Sequence, residues 1–170
     1  GRAFCAGQDL GERYAMLAEG PVDLAASLER DYNPLVRRLA ALPFPVIAAV
    51  NGIASGAGAS IALGCDIVLA GSSARFHFPF ARVALGPDAG ASWLLPRLIG
   101  LQRALPLLMS GEPVGATTAL EWGLIWRVVP DDALAADRSP CGRPGRTDEA
   151  DHHQHADRPV LAEGLDPLRR

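Results

Sequence analysis

Apolar residues are spaced along this chain in two ways, and the alternation between them predicts an α/β fold. From Val22 to Arg30 and from Pro34 to Leu42 they recur at helical intervals, with Asn33 placed as an N-cap and Pro34 at the first helical position. Pro43 and Pro45 end that helix. Val46 to Val50 is continuously apolar, the pattern of a strand covered on both faces, and Asn51-Gly52 closes it in a turn. A helix rich in small residues is expected from Gly56 to Leu63 and a second strand from Asp66 to Ala70. Ala89 to Ile99 reads as a helix bent by Pro96; helices at Leu101 to Ser110 and Ala116 to Trp122 each stop at a glycine. Ile125 to Val129 is the last strand.

The pattern breaks near residue 137. Residues 1–137 read as one globular core, whereas 138–170 keep neither a helical nor a strand period and mix arginine, proline and glycine. That tail is expected to be either frameshifted sequence or disordered chain. At the other end, Ala3-Phe4-Cys5-Ala6-Gly7 reads as a strand running into a tight turn with no earlier element to pair with, so the start of the domain is expected upstream of Gly1.

Composition narrows the function. With 170 residues and 49% hydrophobic content the chain supports one buried core, and a formal net charge of -3 with scattered arginines argues against nucleic acid. No apolar run is long enough to span a membrane. The three cysteines, Cys5, Cys65 and Cys141, show no CxxC spacing, which favours a reducing cytoplasm over a disulfide framework or a zinc site. Asp151-His152-His153-Gln154-His155 fits no standard metal spacing and is not read as a ligand set. His77 reads as a strand-end residue near a pocket wall, Cys65 as an inert small hydrophobe, and Trp93, Trp122 and Trp126 as core or subunit-contact residues.

Two segments carry candidate chemistry. Gly56-Ala57-Gly58-Ala59-Ser60 lies between a strand and a helix, where main-chain N–H groups lack partners; it serves either close helix packing or an anion. It matches neither GxGxxG nor GxxxxGK[ST], so nucleotide phosphate is not indicated. Asp88, in Gly86-Pro87-Asp88-Ala89-Gly90, stands immediately before a helix, either as an N-cap or as a reactive carboxylate.

Together, Ala3-Phe4-Cys5-Ala6-Gly7-Gln8-Asp9-Leu10, Val46-Ile47-Ala48-Ala49-Val50-Asn51-Gly52 and the small-residue helix resemble the signature segments of the crotonase (enoyl-CoA hydratase/isomerase) family. Gly64-Cys65-Asp66-Ile67, Pro87-Asp88-Ala89-Gly90, Leu95-Pro96-Arg97 and Glu121-Trp122-Gly123-Leu124 extend the resemblance to about Leu134. It implies a spiral of ββα turns, truncated here at both ends, in a homotrimer or hexamer. It also implies an acyl-CoA thioester as substrate, with coenzyme A entering as part of it and no separate cofactor.

By the same resemblance, the backbone N–H groups of Ala6 and Ala57 hold the thioester oxygen. Such preorganised donors contribute about 3 to 4 kcal/mol each in other oxyanion sites. Ala3, Gln8, Asp9, Leu10, Gly56 and Phe80 are the implied substrate-binding positions, although Asp9 is equally suited to cap the following segment. Hydratases of the family place two glutamates over the substrate, and the matching positions here are Ser60 and Phe80, which removes both carboxylates and disfavours hydration. Asp88 remains as the acid/base, made more basic by apolar neighbours such as Phe80, and its combination with Phe80 and a small residue at 60 is closest to family members that isomerise ring-epoxide thioesters. Two rivals stay open: Asp88 as a nucleophile, as in dehalogenase-like relatives, and a non-catalytic fragment that binds CoA weakly or not at all.

Overall fold

The computed structural model describes residues 3–20 and 22–136. The tail and its histidine cluster therefore lie outside the described residues, as does Cys141.

Among the described residues, seven strands form two sheets. β1 (Ala3–Cys5), β3 (Ile53–Ser55), β5 (Arg75–His77) and β6 (Val114–Gly115) make one in that order; β2 (Ile47–Val50), β4 (Ile67–Gly71) and β7 (Arg127–Val129) make the other. All pairs are parallel except β5 with β6. The chain steps from one sheet to the other at short corners, so Asn51-Gly52 joins β2 to a strand of the opposite sheet instead of ending the element. With α4 (Ala57–Leu63) behind β3, this is the ββα unit implied by the resemblance.

β3 and β6 are absent from the sequence reading because each is three residues or fewer, too short for an alternation to show, and β5 is anticipated only in His77, which stands at its end. A further helix, α1 (Leu10–Glu19), buries none of its side chains and so carries no apolar face to read. Asp9 is its N-cap: Oδ1 accepts hydrogen bonds from the main-chain N–H of Gly11 at 2.8 Å and of Glu12 at 3.3 Å.

The two helices expected over 22–42 are one irregular helical segment. α2 (Leu24–Ser27) runs through a π-helical turn, Leu28–Tyr32, into α3 (Asn33–Ala40). Asp23, not Asn33, supplies the cap, accepting from Ala26 N–H at 3.0 Å, while Asn33 Nδ2 donates to Glu29 Oε1 at 2.7 Å. The proline ring explains the wider turn. Pro34 has no N–H and would press on the carbonyl one regular turn back, and the bond from Asn33 N–H to Leu28 O loosens the backbone just before it.

One main core lies between the sheets and α4 to α7, the last three being α5 (Ala91–Ile99), α6 (Leu101–Ser110) and α7 (Ala116–Glu121). Ala48, Val50, Val68 and Ala70 face it, as do Phe76, Phe78, Leu95 and Leu124. The other face of β2–β4–β7 has only a small cluster, Leu69, Val129 and Leu134 with Ile47 and Ala49 beside them. Pro96 sits inside α5, as expected. Of the tryptophans only Trp122 packs on the core. Trp93 and Trp126 are 41% and 47% exposed, each lying under an arginine, Arg97 at 4.0 Å and Arg127 at 4.1 Å from the ring centroids. Cys65 is half-buried, donates to Ile61 O at 3.5 Å, and has its thiol pKa pushed up by burial, as suits an inert residue. No described helix is long and apolar enough to cross a membrane.

Candidate functional site

Parallel pairing brings the two small-residue segments together. Cys5 of β1 is opposite Ala54 of β3, so Ala6 and the Gly56-Ala57 turn leave the same end of adjacent strands. Ala57 is the first residue of α4, and its N–H therefore has no carbonyl one turn back to bond. Contact between the segments is close. A Cβ on Gly58 would lie 2.4 Å from Cys5 O, and one on Gly7, where φ is +83°, would lie 3.0 Å from Ser55 O and 3.4 Å from Ala57 N. Only glycine permits this approach at 58. Ala59 and Ser60 donate their N–H groups to Gly56 O, and Gly56 N–H donates to His77 O at 2.9 Å, tying the turn to β5.

His77 braces the same corner from its side chain. Nε2 lies 2.9 Å from the carbonyl oxygen of Gly111, an acceptor, so Nε2 donates there, and Nδ1 lies 3.3 Å from Ser55 Oγ. This is the structural role expected of His77. Ser60 is fully buried, and its hydroxyl donates to Gly56 O at 3.2 Å, leaving it no free proton to exchange with a ligand.

Asp88 is presented differently. It precedes two residues in the left-handed region, Ala89 at φ +46° and Gly90 at +88°, and α5 begins only at Ala91. The cap position is Gly90; Asp88 contributes its main-chain oxygen to Ala91 N–H at 2.9 Å, while its side chain caps nothing. Oδ1 of Asp88 is buried without a hydrogen-bond partner among the described residues. Burial raises the carboxyl pKa above its ordinary value, partly offset by a hydrogen bond to its own backbone. An alanine at positive φ costs about 1 kcal/mol or more, so the turn that aims this carboxylate is held under strain.

Asp88 lines a cavity of about 370 Å³ whose wall includes Leu24, Leu28, Leu85, Pro87, Gln8, Arg13 and Tyr32. A more polar cleft of about 400 Å³ adjoins it through the shared residues Gln8, Ser27 and Tyr32 and is lined by Asp9, Glu12, Arg30 and Asp31. Gln8 and Asp88 are thus brought to one cavity, and Asp9 to the neighbouring cleft. Ala3, Leu10 and Ala6 are exposed, Gly56 half-buried and Ala57 buried, none of them on these walls. Phe80 lies elsewhere: it is 4% exposed in the main core, on a short 3-10 helix (Pro79–Val83), so the apolar surface beside Asp88 comes from Leu85, Pro87, Leu24 and Leu28. The sequence reading missed Tyr32 and Arg13, since an isolated tyrosine or arginine on a polar helix carries no signal of its own.

A family model described as enoyl-CoA hydratase/isomerase matches residues 1–143. The 1,2-epoxyphenylacetyl-CoA isomerase of Escherichia coli (strain K12) is 56% identical over 135 residues, 79% of this chain and 52% of that protein. The 2,3-dehydroadipyl-CoA hydratase of the same organism is 44% identical, covering 77% of this chain and 49% of the relative. Among solved structures, an enoyl-CoA hydratase from Polaromonas sp. JS666 superposes with a TM-score of 0.72 at 36% identity, over 81% of this chain and 53% of that one. The chain spans about half the length of the curated relatives it matches.

Proposed function

The chain belongs to the enoyl-CoA hydratase/isomerase family, and from that premise we propose that it acts on acyl-CoA thioesters as an isomerase with Asp88 as its single acid/base. The observation that carries this reading is Asp88 itself, a cavity-lining residue whose Oδ1 is buried without a hydrogen-bond partner among the described residues. At the two positions where hydratases of the family are expected to carry glutamates stand a hydroxyl already committed to Gly56 O and a phenyl ring in the core. The isomerase named above supports the reading; the hydratases among the relatives are its competitors.

In this mechanism the N–H groups of Ala6 and Ala57 donate to the thioester oxygen. Asp88 removes a proton from one carbon of the acyl group, the electron pair moves toward that oxygen as an enolate, and the same carboxyl returns the proton at another carbon. Desolvation serves both halves, since a carboxylate with a raised pKa accepts and releases protons nearer neutral pH. Coenzyme A enters with the substrate and no separate cofactor takes part. The preferred substrates are ring-epoxide or 3-enoyl thioesters, handled in the cytoplasm by a homotrimer or hexamer.

Asp88→Asn tests the assignment. Isomerisation is expected to fall by about 10²- to 10⁴-fold, while calorimetric affinity for a CoA thioether stays within a factor of a few. Full turnover in the variant would remove Asp88 from the mechanism.

A further inference from the structure

Tyr32 ends the π-helical turn and lies on the wall of both the Asp88 cavity and the polar cleft. It is partly buried and makes no hydrogen bond from its hydroxyl among the described residues. Its phenol is held protonated: burial raises its pKa most, and of the ionisable groups around it Asp88 contributes most, followed by Cys5, Asp31 and Glu12. The hydroxyl is therefore a neutral donor on a residue that borders both the Asp88 cavity and the polar cleft.

No hydrogen bond joins Tyr32 to Asp88, although both border the same cavity. Leu24, Leu28, Leu85 and Pro87 supply apolar surface between and around them. A hydrocarbon acyl group filling this space buries the hydroxyl without a partner. An acyl group that carries an ether, epoxide or hydroxyl oxygen accepts its hydrogen bond. A polar group left unpaired in such a pocket discriminates far more strongly than one added methylene.

We infer that Tyr32 is a specificity-determining residue whose hydroxyl donates a hydrogen bond to an oxygen on the acyl group, so that the site selects oxygenated acyl thioesters over their hydrocarbon analogues. No proton is transferred from Tyr32 in this role. The inference rests on the proposal that the acyl group of a CoA thioester occupies the Asp88 cavity.

The test compares two CoA thioethers that differ by one ring oxygen, cyclohexylmethyl-CoA and tetrahydropyranylmethyl-CoA, by calorimetry on the chain and its Tyr32→Phe variant, with circular dichroism as a check of folding. The unmodified chain is expected to prefer the oxygen-bearing thioether by about tenfold or more, and Tyr32→Phe to abolish the preference by weakening that thioether alone. Equal binding of both thioethers to the unmodified chain, or a preference that survives in Tyr32→Phe, overturns this inference and leaves the acyl-CoA reading standing. Failure of both thioethers to bind the folded chain overturns the acyl-CoA reading and this inference with it. A kinetic arm separates specificity from service to Asp88. If Tyr32→Phe slows oxygenated and hydrocarbon substrates equally and shifts the pH profile, Tyr32 acts through the carboxylate and the inference fails.

Discussion

At the junction of β1, β3 and α4 the backbone is crowded and its polar side chains are committed. Gly58 lies against Cys5 O, Ser60 Oγ donates to Gly56 O, and the Ser55–His77–Gly111 series closes the corner. Around Asp88 the conditions reverse: an alanine is held at positive φ, a buried carboxylate oxygen has no partner among the described residues, and the residue borders a cavity. The first region holds main-chain donors still by packing. The second leaves a buried carboxyl oxygen without a partner among the described residues. The contrast teaches that a rigid frame and an unsatisfied group are complementary, because the strain around Asp88 persists only if its surroundings are fixed.

The strongest blow to that contrast is Gly58→Ala, which forces a methyl group to within 2.4 Å of Cys5 O and must part β1 from α4. We expect a loss of about 3 kcal/mol in urea unfolding, together with loss of thioether binding. Unchanged stability would mean that the junction is softer than its geometry implies. Ser60→Ala is milder. It removes one buried hydroxyl donor, lowering stability by about 1 kcal/mol and leaving turnover intact, whereas loss of turnover at full stability would restore Ser60 to the chemistry.

On the other side, Ala89→Gly relieves the positive φ while adding chain entropy, and the two nearly cancel, so stability should change by less than about 1 kcal/mol. Turnover should nevertheless drop several-fold as Asp88 loses its fixed aim; an unaltered rate would show that the strain serves no purpose. The smallest effect is on the pH dependence of stability. The folded-state pKa of Asp88 is raised above its unfolded value, so in the window between the two the folded protein binds more protons and stability falls as pH rises. Asp88→Asn should flatten that slope and raise the melting temperature slightly at neutral pH, by less than the equivalent of about 1 kcal/mol because the group is partly solvated. A slope unaffected by the substitution assigns it to other groups.

The sequence announces the frame more clearly than the site. Val46 to Val50 and Asp66 to Ala70 are legible because no residue of the strands they form is exposed, and they appear as β2 and β4 with small shifts at the ends. Ile53-Ala54-Ser55 is not legible: a three-residue strand after an Asn-Gly corner has no period, and its sheet is defined by Ala3 and Arg75, distant in sequence. Asn33-Pro34 mimics a helix start and instead follows a π-helical turn, because a proline near a helix start and a proline relieved by a widened turn look alike in one dimension. Asp88 carries the sharpest ambiguity, cap or carboxylate, and the backbone at Ala89 and Gly90, which puts the cap position at Gly90, removes the cap reading. Tyr32 gains its place only when the helical segment folds over the cavity, information that no local pattern contains.

The edge position of β1 has a consequence for the order of assembly. Among the described residues β1 pairs only with β3, from which it is separated by the whole of α1, α2 and α3, whereas β2 and β4 are joined through the compact β3–α4 unit. Closing the longer loop carries the larger entropic penalty and returns a shorter ladder, so the β2–β4 pair is the natural early nucleus and β1 docks onto a frame already formed. The same asymmetry makes β1 the first strand to open on the slow timescale of hydrogen exchange: its amide protons are expected to exchange before those of β2 and β4.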